Sequence, residues 1–351
     1  MRIPVLVIFS VLFFFRFFGQ KKDTVRLLDP DKIYFNQGCK LVDSSEYKEA
    51  IKLFQKAIKA NPMYHHAFNK IAYCRYKLGD LKGAEAELEK SIKIQPDDIS
   101  TLKYMGFIFY EDKKFDKALA CLESAKKHAH ADEELEYLLG NLYLSRGDFK
   151  YALSCFNSAI ELKSNYGEAY RGRGITYHKM KNYKNTISDL SKALLLIPSD
   201  TMNTDVYSVR SSAYYESGDF PSAIKDFSRL IIINPKDENA YLRRGAAKIE
   251  TGDYSGAIED ETQAIEINKN SFIAYNLRGV AKGGLKSYKP AIEDLDQAIK
   301  IKFNYHTAYV NRASIRYALN DKKKACEDLY KADQLGSEVA FRYIENYCSN
   351  K

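Results

Sequence analysis

The side chains in this 351-residue chain whose types and spacing invite chemistry are five arginines, five aspartates, six cysteines and a His-x-His pair. The arginines recur every 34 residues, or 37 across one insertion. Each has an aspartate sixteen residues further on: Arg173 and Asp189, Arg210 and Asp226, Arg244 and Asp260, Arg278 and Asp294, Arg312 and Asp328. A guanidinium and a carboxylate form a bidentate, orienting pair. A row of arginines can recognise acidic ligands, but here each arginine has its own counter-charge. We therefore expect a repeated structural clamp between two helices of the same repeat.

Cys326 and Cys348 lie almost symmetrically about Gly336 and Ser337, so antiparallel helices on either side of that turn would bring them side by side. They form either a disulfide or two small core residues. Cys121 and Cys155 stand 34 residues apart at equivalent places, farther than the ~7 Å Cα limit of a disulfide once equivalent helices stack. His128, His130 and the upstream Cys121 do not supply the four-ligand spacing of a zinc site, so no metal is expected. No phosphate-binding loop, dinucleotide glycine pattern, HExxH or GxSxG occurs. The sequence therefore gives no catalytic residue and no cofactor.

The elements that must position these residues follow a 34-residue grid. Nine repeats begin at residues 31, 65, 99, 133, 167, 204, 238, 272 and 306, with an insertion at Thr201–Asn203. Position 8 is always small, position 20 is Ala in eight of nine repeats (Thr186 departs), and position 27 is Ala in seven. Position 24 is large and apolar except for Glu261. Positions 8 and 11 share one helical face and 20, 24 and 27 another, so each repeat is predicted to be two helices. Gly-Asp pairs such as Gly79-Asp80 and Gly252-Asp253 punctuate them, glycine ending one helix and aspartate capping the next.

With these positions the chain resembles the tetratricopeptide repeat family over residues 31–339. The resemblance implies an all-α, right-handed superhelical solenoid of nine two-helix repeats, whose first helices line a concave surface. Residues 340–351 look like the C-terminal cap, with its helix over 338–348 and Ala340, Ile344, Tyr347 and Cys348 on the covering face. The array changes character at residue 167. Position 7 is Gln37, Ile71, Met105 and Leu139 in the first four repeats (31–166) and Arg in the last five (167–339).

Family geometry places positions 2, 5, 9 and 12 on the concave surface. In the first repeats these are Phe35, Asn69, Tyr73, Tyr76, Lys103, Phe107, Tyr110, Tyr137 and Asn141, followed by Arg171. Aromatic rings interleaved with amides and cations suit a peptide or protein partner. Each ring either faces that groove or packs between neighbouring helices. The carboxylate clamp of chaperone-binding members is missing, since Lys103 is followed by Phe107, Leu138, Glu168 and Gly172 at the places that carry it. The resemblance thus implies a non-enzymatic scaffold or adaptor, with no expectation about oligomeric state.

Composition sets the remaining bounds. With 45% apolar and 28% charged residues the chain is neither disordered, collagen-like nor a disulfide miniprotein. The net charge of +8 is scattered and changes sign between repeats, which argues against nucleic-acid tracking. Ile3 to Phe15 is an apolar run of thirteen residues, short for a membrane span. We read residues 1–19 as a signal peptide, with cleavage after Gly19 and a linker over 20–30, and the protein as exported, periplasmic or secreted. The alternative is an uncleaved inner-membrane anchor, which makes the protein a tethered or cytosolic regulatory adaptor. No membrane contact is expected beyond this segment. The high Lys, Asn, Ile and Tyr content and the Phe18-Gly19-Gln20 leader end look like exported repeat proteins of Bacteroidota.

Overall fold

The computed structural model describes residues 29–197 and 203–348. The leader, most of the linker and the last three residues lie outside them. Every regular element among the described residues is a helix. They form two compact units, the first running to Lys181 and taking in Leu195–Ile197, the second holding Asn182–Leu194 and the chain after Pro198. The division runs through the fifth repeat, whereas the change in sequence chemistry begins at residue 167. The change of side chains at position 7 is therefore not the boundary of packing.

In the first unit lie α1 (Pro30–Asp43), α2 (Tyr47–Ala60), α3 (His65–Lys77), α4 (Leu81–Ile94), α5 (Ile99–Glu111), α6 (Phe115–His128), α7 (Glu133–Arg146), α8 (Phe149–Leu162) and α9 (Gly167–Lys179). The second holds most of α10 (Tyr183–Leu196), then α11 (Thr204–Glu216), α12 (Phe220–Ile233), α13 (Glu238–Glu250), α14 (Tyr254–Ile267), α15 (Phe272–Gly284) and α16 (Tyr288–Ile301). It ends with α17 (His306–Ala318), α18 (Lys322–Gln334) and the cap α19 (Glu338–Tyr347). Nine helix pairs and a cap thus follow the 34-residue grid. Helices of this length, about 20 Å at ~1.5 Å per residue, are too short to persist alone and depend on the faces they bury.

Small and large positions fit together as plug and socket. Phe54 fills the space a side chain would need at Gly38, and a Cβ there would lie 2.6 Å from the ring. Phe156 does the same for Gly140 and for Gly172 of the following helix, and Leu295 for Gly279. The Ala at position 20 is fully buried in repeats one to four, for example Ala50 and Ala118. Branched side chains at those sites would hold the helices apart.

Each repeat turns between its two helices through one residue at position 15 with positive φ. Glycine serves at Gly79, Gly147, Gly218 and Gly252, but Ser45, Lys113, Lys181, Lys286 and Asn320 adopt the same left-handed backbone at φ 58° to 63°. An L side chain there costs about 1–2 kcal/mol, less for asparagine. The next residue often caps the following helix: Asp80, Asp219, Asp253 and Asp321 accept from the backbone N–H three residues on.

At the C-terminal end, Gly336 closes α18 with φ +86° and the Ser337 hydroxyl accepts the Ala340 N–H at the start of α19. Ala340 is buried, and Ile344 and Cys348 pack with it over Tyr309, Leu329 and Ala332. Cys326 of α18 is joined to Cys348 by a disulfide, Cα to Cα 5.7 Å. No helix among the described residues is long and apolar enough to cross a membrane.

Candidate functional site

Four of the Arg–Asp pairs are joined within their own repeat. The Nε and Nη2 of Arg210 donate to the two carboxylate oxygens of Asp226, both at 2.7 Å. Arg244 grips Asp260 at 2.9 and 2.6 Å, Arg278 grips Asp294 at 2.9 and 2.7 Å, and Arg312 grips Asp328 at 3.0 and 2.6 Å. Asp189 is buried; it and Arg173 belong to different compact units.

Three further contacts, none of them foreseen from sequence, complete this arrangement. Position 4 of these repeats is tyrosine, and each guanidinium lies over it: Arg173 over Tyr170, Arg244 over Tyr241, Arg278 over Tyr275, Arg312 over Tyr309. The remaining Nη1 donates to position 25 of the preceding repeat, which is Asn157, Ser191, Ser228, Thr262 or Asp296. The clamp is therefore also a tie between successive repeats. In repeats seven to nine a second cation, Lys248, Lys282 or Arg316, reaches the same aspartate. With all three guanidinium nitrogens of Arg210, Arg244, Arg278 and Arg312 engaged, these arginines form a structural ladder, and the Nε–Nη2 fork that an acidic ligand would take already holds an aspartate.

Glu261 departs from this order. It occupies the position that Phe or Leu fills elsewhere, fully buried beside Gly245. Neither carboxyl oxygen has a hydrogen-bond partner among the described residues. Burial, and then the charge of Asp260, push its pKa up to about 9, so it is neutral at pH 7.

The residues expected to line a groove in the first unit divide into two sets. Phe35 packs on Phe54 and Tyr64, with ring centroids 5.5 and 5.0 Å away. Tyr137 sits against Phe156 and Tyr166. Asn69 is buried and donates to the Thr101 hydroxyl at 2.9 Å. These three are packing residues, because the neighbouring repeat reaches them before a ligand can. Lys103 is held by Asp132 at 2.8 Å and Glu134 at 2.6 Å. Asn141 is half-buried and lies within hydrogen-bonding reach of the Tyr137 hydroxyl, and Arg171 lies within electrostatic reach of the same tyrosine.

Tyr73, Tyr76, Phe107 and Tyr110 stay half-exposed on α3 and α5. Tyr76 meets Phe107 edge-on at 5.0 Å, and the Lys77 ammonium lies over both Tyr73 and Tyr76. The Tyr110 hydroxyl shares a 3.0 Å hydrogen bond with Ser145 of α7. Burial raises the Tyr73 and Tyr76 hydroxyls to about 12, so both remain protonated donors at neutral pH.

Tetratricopeptide repeat models match residues 35–99, 209–271 and 273–305, and a TPR repeat model matches 140–181, together more than half of the chain. The chain belongs to the tetratricopeptide repeat family. Proteins of this family are protein-interaction scaffolds. The BBSome complex member BBS4 of Bos taurus is 23% identical over 180 residues, 51% of this chain and 34% of the relative. Hsp70-Hsp90 organizing protein 1 of Glycine max is 31% identical over 99 residues, 28% of this chain and 17% of the relative. The matched segments span about a third or less of these relatives' lengths. Among solved structures, YrrB, described as a TPR protein with an unusual peptide-binding site, shares 23% identity at a TM-score of 0.50, over 53% of this chain and 95% of its own. PilW, described as a type IV pilus biogenesis factor, shares 14% identity at a TM-score of 0.54, over 58% of this chain and 94% of its own. These two likenesses are of fold.

Proposed function

We propose that this chain is a non-enzymatic scaffold that holds a partner protein or peptide against the face of its odd-numbered helices. The observation that carries this reading is the aromatic ridge of Tyr73, Tyr76 and Phe107. Its rings are half-exposed yet fixed by neighbours, so covering them removes apolar surface from water at small entropic cost. Pull-down from the source organism with the wild-type chain and with Tyr73→Ala/Phe107→Ala tests it. The double variant should retain its helix content and lose the captured partner, and identical captures from both would overturn the reading.

The scaffold is proposed to act in the cell envelope of a Bacteroidota-type bacterium, exported by its leader. The disulfide between Cys326 and Cys348 supports this, since such bonds persist in oxidising compartments. The second reading is a membrane-tethered or cytosolic adaptor with the leader retained. N-terminal sequencing of the protein from its host decides between them. A chain beginning at Gln20 supports export, and one still carrying the leader supports the adaptor.

A further inference from the structure

The second compact unit carries binding groups that are not engaged elsewhere. On α13, Asn239 and Arg243 stand one turn apart, at positions 2 and 6 of their repeat, and both are exposed. Among the described residues Arg243 makes no ion pair and Asn239 no hydrogen bond. At the same two positions on the neighbouring α15 stand Ile273 and Leu277, with Ile273 39% exposed. Leu242, Ala246 and Tyr215 of α11 complete a shallow depression of about 290 Å³ among these side chains. On other first helices Lys103 is committed to two carboxylates and Asn311 to Asn276.

We infer that this depression binds an extended peptide segment carrying an acidic side chain on Arg243 and an aliphatic side chain between Ile273 and Leu277. The inference rests on the scaffold reading and names the partner's chemistry. An unpaired guanidinium on a surface is satisfied best by a carboxylate, which it takes through two N–H bonds. The Asn239 amide offers both a donor and an acceptor, the pair needed to hold one peptide group of a passing strand. Packed helices are about 8–10 Å apart. In an extended chain, residues i and i+2 point the same way about 6.6–7 Å apart. An acid at i therefore meets α13 while an aliphatic residue at i+2 meets α15. Glu216 and Glu250 close α11 and α13 and disfavour further acids toward that end.

Fluorescence anisotropy with the full chain and four labelled heptapeptides in a Gly/Ser background tests this. Their central triplets are Asp-Ser-Leu, Asn-Ser-Leu, Asp-Ser-Ser and Lys-Ser-Leu. The first should bind at least tenfold more tightly than the others and weaken as salt is raised. Arg243→Glu, an exposed substitution that leaves the core untouched, should invert the preference toward Lys-Ser-Leu, and Leu277→Ser should abolish the advantage of leucine over serine. Equal binding of all four peptides, or no binding at millimolar concentration, overturns the inference. Peptide binding that responds to Tyr73→Ala/Phe107→Ala but not to Arg243→Glu also overturns it, while leaving the scaffold reading in place.

Discussion

Arg244 holds both oxygens of Asp260 with two of its nitrogens and reaches Ser228 of the preceding repeat with the third. One guanidinium thus fixes the angle between two helices and the stacking of two repeats. The pair is nearly dry, with side chains 19% and 3% exposed. Asp260→Ala leaves Arg244 and Lys248 without their counter-charge in that setting. The expected loss is about 3–5 kcal/mol, read as a fall in melting temperature. Replacing Arg244, Lys248 and Asp260 together with apolar residues of similar volume should cost much less, because no buried charge is left behind. A melting temperature unchanged by Asp260→Ala contradicts the clamp.

Glu261 gives the fold a pH dependence of definite sign. Its pKa is 4.5 as an ordinary glutamate and about 9 in the folded chain, so the folded state holds a proton that the unfolded state releases. Stability from this group is complete below pH 4.5 and falls as pH rises toward 9, by about 1.4 kcal/mol per pH unit. Glu261→Leu restores the residue type of the other repeats and removes this slope. At pH 7 it should stabilise the chain by about 3 kcal/mol, and the gap should close in mildly acidic solution. Parallel denaturation curves at pH 5 and pH 8 for the two proteins would contradict this.

The turn lysines are a second reserve of stability. Lys113, Lys181 and Lys286 hold the left-handed backbone that Gly79 and Gly252 hold without strain. Each Lys→Gly change at these three sites should stabilise by about 1 kcal/mol, after allowing for the added freedom of the unfolded chain. Asn320→Gly should do less, because asparagine tolerates that region.

The disulfide ties the cap down. Cys326 and Cys348 are 22 residues apart, and a loop of that size corresponds to about 3 kcal/mol of unfolded-state entropy. Intact mass under non-reducing conditions should be two hydrogens below the reduced value. Reduction should raise amide exchange in α19 first, since Ala340 is its only fully buried residue.

What sequence spacing could reveal was whatever repeats. Small position 8 and large position 24 recur, and the structure shows them as Gly38 against Phe54 and Gly140 against Phe156. Arg and Asp sixteen residues apart recur as well. The partner at position 25 was hidden because its identity varies over Asn, Ser, Thr and Asp while its role does not. The groove residues were harder still. Whether Asn69 or Lys103 is available depends on how far Thr101, Asp132 and Glu134 reach from the next repeat, and that is a matter of packing. Arg243 and Asn239 are single side chains in an irregular column, and their availability appears only once their neighbours are placed.

Photocrosslinking measures the central claim most directly. A photoreactive phenylalanine analogue is placed at Tyr76 or Leu277 on the odd-numbered helices, or at Tyr151 on α8, which is 62% exposed. After irradiation in the native host, adducts to a protein partner should form from Tyr76 or Leu277 and not from Tyr151. Adducts from Tyr151 alone, or from none of the three, would contradict a scaffold that works through its first-helix face.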